Sequence, residues 1–228
     1  MDRKALELIN YGMFVAGAGE NGRLDGCIVN SFSQVTSGLS PRFTLTLNKN
    51  NVTYQTIRKK GSVAVSLLKR NVDAEVISLF GSQTGRLINK FEKAAYALDE
   101  NKNPYLKDDS VAVMSLKVVQ EVDLGTYQRF GPSSTNQKVS QEQDLGSYAL
   151  FVVDLEDAKV LDAGAALTLK DYNQDGGLVP PSATIYRAPK VSKGFVCKIC
   201  GYLYTGEDIP CDYVCPICGA PAEEFIRA

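Results

Sequence analysis

Two Cys-x-x-Cys pairs, Cys197/Cys200 and Cys215/Cys218, each followed by glycine, lie in the last stretch of the chain, Phe195–Ala228. In such a knuckle, two thiolates three positions apart reach one ion, and the glycine lets the backbone turn without a Cβ clash. A segment this short cannot bury enough apolar surface to fold unaided, and metal binding of order 10 kcal/mol supplies what its core lacks. The spacing therefore predicts a tetrahedral site with four cysteine ligands. Cys211 has neither a partner at knuckle spacing nor a following glycine, and reads as the spare thiol.

Four sulfurs suit zinc and iron alike. The flanking pattern "CKICGYLY … YVCPICG" with a late Phe225 resembles rubredoxin in the short form that ends larger electron-transfer proteins. That resemblance implies that Tyr202, Tyr204, Tyr213 and Phe225 pack around the site and keep water from it. A zinc ribbon that binds nucleic acid is usually basic, whereas here Lys198 and Arg227 stand against Glu207, Asp208, Asp212, Glu223 and Glu224. Both features favour one iron over zinc. Iron held by four protein thiolates has no open position for a substrate and exchanges single electrons.

The rest of the chain narrows what could feed such a centre. The 228 residues contain no histidine, which excludes histidine-based acid–base chemistry, histidine metal ligands and Ser-His or Cys-His nucleophile pairs. A formal charge of −1 gives no electrostatic case for nucleic acid or an anionic membrane as partner. No stretch has the length of a membrane span, and clustered cysteines of this kind suggest a cytoplasmic metal protein, not a disulfide framework. Any redox chemistry thus falls to a cofactor.

Long Val- and Leu-rich runs dominate the first part of the chain, notably the strand-like stretch Met13–Leu47, "SVAVSLL", "SVAVMSLKVVQEV" and "SYALFVVDLEDAKVL". A short amphipathic helix is expected over residues 2–10, with Ala5, Leu6, Leu8 and Ile9 as its apolar contacts. Further helices are expected over 52–60, closed by Gly61, and over 72–80, closed by Gly81. Many strands with few helices predict an antiparallel barrel and a mainly β fold. "GAGENG" at Gly17–Gly22 fits G-x-G-x-x-G, but a strand follows it instead of a helix, so Asn21-Gly22 reads as a hairpin turn and the dinucleotide fold is excluded. "DLGTYQRF" and "DLGSYALF" read as two strands sharing one turn chemistry, separated by a polar surface excursion within an insertion around 128–145. "YRAPKVSKG" breaks the strand pattern, giving a first domain at 1–186, a linker at 187–194 and the cysteine module at 195–228. Eight linker residues reach at most roughly 26–29 Å, so the module stays near the first domain or near that of a partner subunit.

"GCIVNSFSQVTSGLSPRFTLTLNKNNVTYQTI" (Gly26–Ile57), "FGSQTGRLINKF" (Phe80–Phe91) and the stretch from "DLGSYALF" to "ATIY" resemble the flavin reductase family, whose fold is an FMN-binding split β-barrel. With the rubredoxin-like end, the order of parts resembles the high-molecular-weight rubredoxins of anaerobic bacteria. A flavin phosphate needs amides, hydroxyls and N–H groups at a helix start, and Asn48, Lys49, Asn50 and Thr53 stand where a helix begins. The resemblance places Asn30, Ser31, Gln34, Val35, Thr36 and Ser37 along the isoalloxazine edge, and Arg86 and Lys90 at basic positions near phosphate or nicotinamide. Tyr148 stands where the family carries histidine. The resemblance implies FMN, one iron and NAD(P)H as donor, a homodimer, and an acceptor such as a diiron flavoprotein reducing O2 or NO. The alternatives are a reductase delivering electrons to free flavin or ferric complexes, and a zinc-tailed flavin-binding sensor.

Overall fold

The computed structural model describes residues 3–128, 136–138, 147–174 and 194–227, the last stretch without 200, 201, 207 and 217. The expected linker lies outside the described residues except for Gly194, as does most of the 128–145 insertion and the second "DLG" turn. In chain order the elements are β1 (Phe14–Glu20), β2 (Arg23–Val29), β3 (Phe32–Gln34), β4 (Arg42–Asn48), α1 (Val52–Lys60), β5 (Ser62–Leu68) and α2 (Ala74–Ser82). They continue with β6 (Tyr96–Leu98), β7 (Pro104–Leu106), β8 (Ser110–Asp123), β9 (Thr126–Gln128), β10 (Asn136–Lys138), β11 (Tyr148–Val160) and α3 (Leu169–Gln174). The cysteine module contributes β12 (Phe195–Cys197), β13 (Leu203–Tyr204) and β14 (Phe225–Arg227).

Seven strands form one antiparallel half-barrel sheet in the order β2-β1-β5-β8-β11-β4-β3. Alternation along its strands feeds two cores, as the twofold period of a pleated strand requires. Ala16, Ala18, Leu45, Val63, Leu116 and Phe151 point into the curl of the sheet, where Tyr54 and Ile57 of α1 close it. Val15, Ile28 and Leu68 point the other way, beneath Ile77 and Phe80 of α2 and Phe91. A short network also ties α1 to the sheet: the Tyr54 hydroxyl donates to Glu121 Oε1 at 2.5 Å and Arg58 Nε donates to Glu121 Oε2 at 3.0 Å.

The glycine-rich stretch is a hairpin. Asn21 (φ 50°) and Gly22 (φ 80°) are both left-handed, the conformation a tight two-residue turn demands. Gly17 pairs across the ladder with Gly26 for a different reason: a Cβ on Gly17 would strike the Pro104 carbonyl, and one on Gly26 would press into the Phe91 ring at 3.1 Å. The signature glycines thus serve packing and a turn. α1 ends where expected, with Gly61 left-handed (φ 77°) and its N–H donating to the Ile57 carbonyl.

Two local expectations need correction. Residues 3–8 form a 3-10 helix, not a longer amphipathic one, and its apolar side chains face water, Leu8 being 86% exposed. Gly81 does not terminate α2 but lies buried inside it; the helix runs to Ser82 and is started by the Asp73 carboxylate, which accepts from the Glu75 N–H at 2.8 Å.

Candidate functional site

Asn48–Asn51 makes the tight approach to α1. The Asn48 side chain accepts from the Asn50 N–H at 2.9 Å and its carbonyl accepts from the Asn51 N–H at 3.0 Å, holding the strand end in a turn. Asn51, the N-cap, gives α1 no side-chain cap, so the first-turn N–H groups remain for another acceptor. They face a cavity of about 240 Å³ lined by Asn50, Asn51 and Thr53, by the Thr84–Leu87 loop and by Lys90. Arg86 reaches the Asn50 carbonyl from Nη2 at 3.5 Å, and Lys90, the other cation expected from the sequence, lines the same cavity.

Beneath them lies a polar floor absent from the sequence-based reading. Asp25 and Cys27, two positions apart on β2, face the same side. Asp25 and Lys90 are each only 3% exposed. Lys90 Nζ donates to the Gly26 carbonyl at 2.7 Å, and the Thr53 hydroxyl donates to Asp25 Oδ2 at 3.2 Å. Asp25 Oδ1 is buried without a partner among the described residues. Burial raises the Asp25 carboxyl, against the pull of Lys90; burial lowers the Lys90 ammonium, against the pull of Asp25 and Cys27. Burial also pushes the Cys27 thiol up to about 11, which keeps it a neutral, unreactive group. A Cβ on Gly85 would collide with the Asp25 carboxylate, so only glycine lets this loop close over the floor.

The other expected cofactor residues form a separate group. Asn30 is buried at the end of β2, and the Ser31 hydroxyl donates to the Thr46 carbonyl at 2.9 Å. Gln34–Ser37 form an exposed rim, folded by Gln34 Nε2 donating to the Thr36 carbonyl at 2.8 Å and by Thr36 Oγ1 accepting from the Arg42 N–H at 2.7 Å. Lys49 points away from the cavity and pairs with Asp123 at 2.6 Å. The structure therefore gathers Asn50, Thr53, Arg86 and Lys90, and leaves Asn30–Ser37 on the segment that runs from the end of β2 through β3.

In the cysteine module, the sulfurs of Cys197, Cys215 and Cys218 lie within 4.8 Å of one another, and Cys197 Sγ stands 3.6 Å from Cys218 Sγ. A tetrahedral metal with bonds of about 2.3 Å spaces its sulfurs about 3.8 Å apart, so these three fit one ion. Cys200 lies outside the described residues. The second knuckle closes through Gly219 N–H to the Cys215 carbonyl at 2.9 Å, with Gly219 left-handed (φ 72°), and through Cys215 N–H to the Ala220 carbonyl at 2.7 Å. Tyr204, Tyr213 and Phe225 stack around it, with ring centroids 4.6 and 5.5 Å apart. Cys211 is exposed and outside the cluster.

The two sites meet. Ile199, Cys218, Gly219, Ala220, Pro221 and Glu224 complete the outer wall of the same cavity.

Comparison with known proteins agrees with both halves. The flavin reductase-like domain model matches residues 6–176, and the rubrerythrin, rubredoxin-like domain model matches residues 195–226. The chain is similar to a high molecular weight rubredoxin of Moorella thermoacetica, 29% identical with 99% of each chain covered. It is also similar to a ferric-chelate reductase (NAD(P)H) of Archaeoglobus fulgidus, 31% identical over 82% of this chain and 98% of that one. Among solved structures it resembles an NADH:FAD oxidoreductase of Streptomyces globisporus in fold, with TM-score 0.56 and 17% identity over 73% of this chain and 85% of that one. No helix among the described residues is long and apolar enough to cross a membrane. The chain belongs to the flavin reductase-like family of oxidoreductases, carries a rubredoxin-like cysteine module at residues 195–226, and is homologous to a high molecular weight rubredoxin.

Proposed function

We propose that the chain is an FMN-dependent electron-transfer protein that oxidises NAD(P)H, reduces an iron in its own cysteine module, and passes single electrons to an external acceptor such as a diiron flavoprotein that reduces O2 or NO. One observation carries this reading: a single cavity has a phosphate-type helix start with two cations on one wall and Cys218 on the other. Bound flavin supplies the conversion such a pairing needs, because it accepts two electrons together and gives them up one at a time to a one-electron centre. The residues fit its terminal phosphate: uncapped N–H groups of α1, with Arg86 and Lys90 for charge. The cavity, about 240 Å³, has room for a phosphomonoester at the helix start. Asn30–Ser37, on the segment from the end of β2 through β3, would border the ring system. Cys197, Cys200, Cys215 and Cys218 would hold the iron, the aromatic shell keeping water away. The division at 187–194 and a homodimer, whose partner subunit would cover the exposed Gln34–Ser37 rim, belong to the same proposal.

An anaerobic absorption spectrum before and after adding NADH or NADPH tests it. Flavin and iron–thiolate bands that both bleach without added free flavin support internal transfer. Zinc in the module and no iron bands would sink it. The similarity to a ferric-chelate reductase favours a second reading, a reductase acting on free flavin or ferric complexes; it predicts iron reduction that depends on added flavin.

A further inference from the structure

The cysteine module touches the first domain at the loop that follows α2. Leu87, in the loop after α2, keeps 67% of its surface in water, yet a Cβ on Gly219 would collide with its Cδ1. Leu87 therefore seats against the glycine of the second knuckle, where no larger residue would leave room. The glycines on the two sides of this contact have different duties. Gly85 lets the loop descend onto Asp25, and Gly219 lets the knuckle receive the side chain two positions further along that loop. Charge agrees with shape: the loop side carries Arg86 and Lys90, and the module side brings Glu224 into the same wall.

We propose that the Thr84–Leu87 loop is the docking surface for the cysteine module, with Leu87 as its anchor, and that the docked module is the lid that retains the cofactor. The inference rests on the flavin reading of the cavity. Without Ile199 and the Cys218–Pro221 knuckle, the helix start, Arg86 and Lys90 would open to solvent, and a phosphate there would exchange with bulk water along an unobstructed path. With them, release requires undocking. The tail thus separates a protein that keeps its flavin from one that binds and releases it as a substrate, and it sets Cys218, one of the proposed ligands, into the cofactor's own wall.

Leu87→Gln tests this in the full-length protein, with Leu87→Met as the conservative control. Leu87 is exposed, so neither change disturbs the core, and glutamine adds no charge beside the phosphate site. Two readouts are taken: the dissociation rate of FMN, and hydrogen exchange at the amides of 84–87 and 218–221. The expected result is that Leu87→Gln releases FMN about tenfold faster, equivalent to about 1.4 kcal/mol, and loses protection in both segments together, while Leu87→Met behaves as the parent. FMN release by Leu87→Gln at the parent rate, with protection at 218–221 unchanged, overturns the docking proposal. Faster release with protection at 218–221 unchanged also overturns it, because Leu87 would then act on the cofactor directly. A parent protein that binds no FMN at all sinks the flavin reading instead, and the exchange data still decide whether the module docks on Leu87.

Discussion

The half-barrel and the cysteine module both bury what they can, but with different materials. In the half-barrel, Phe151, Leu45, Ile57, Val63 and Leu116 are fully buried, and two cores share the faces of one sheet. In the module, the described buried core is Cys197, Cys215, Cys218, Ala220 and Phe225, so three of its five members are candidate ligands. The first region closes its core with hydrocarbon, whereas the second has thiolates at its centre and is complete only around an ion. Fold stability in one should be independent of metal and in the other inseparable from it.

Removing the metal should separate the two regions most sharply. Chelation, or Cys218→Ala, is expected to abolish the module's exchange protection, since about 10 kcal/mol of binding free energy is lost. The half-barrel's thermal transition should stay in place, because its core shares no residue with the cluster. Calorimetry with and without chelator reads both; a single transition that shifts as a whole would show that the two regions fold as one unit. The converse change is Phe151→Ala, which should cost about 3–5 kcal/mol of half-barrel stability while leaving the metal site's absorption intact. Loss of the metal signal in the same variant would break the comparison from the other side.

A smaller effect tests the module's aromatic shell. Tyr213 touches both Tyr204 and Phe225, and each such pair is worth about 0.5–1.5 kcal/mol beyond the area it buries. Tyr213→Leu keeps the volume roughly filled but loses the ring geometry. The metal should bleed to a competing chelator faster, with the site's spectrum unchanged at the start. An unchanged rate of metal loss would mean that the thiolates alone hold the module together.

The same contrast explains what was legible in the sequence. The knuckles announce themselves because their ligands are close in the chain and their spacing is dictated by one ion. The hairpin at Asn21-Gly22 and the end of α1 at Gly61 were also readable, since left-handed turns leave a local residue signature. Gly81 misled because a buried helical glycine and a helix-ending glycine look alike without knowledge of what packs above. The apolar residues of the N-terminal turn misled because periodicity shows a face but not whether anything covers it. Half of the cavity was invisible for a related reason. Asp25 on a strand reads as a solvent-facing residue, and only Lys90, Thr53 and Gly85, arriving from elsewhere in the chain, make it a buried floor. The contact between Leu87 and Gly219 has no local signature at all.

That floor offers the finest test, an effect of slope and not of magnitude. The Asp25 carboxyl sits above its ordinary value of 3.8 in the folded chain, chiefly through burial. The folded state therefore holds this proton more tightly than the unfolded one. Its contribution to stability is complete below pH 3.8 and declines as pH rises through the folded value, beyond which it is flat. Asp25→Asn removes that decline, so the variant should gain on the parent across the same window and then run parallel to it. Lys90 gives the opposite sign at the alkaline end. Burial holds its ammonium below 10.5, so stability rises with pH from the lowered value up to 10.5. Without Asp25 opposite, that ammonium should fall further and the alkaline rise should start earlier. Urea midpoints at a series of pH values, with the module metallated throughout, read both slopes. Parallel curves for parent and Asp25→Asn would mean that Asp25 is not desolvated in solution, and that the Gly85 loop does not close over it.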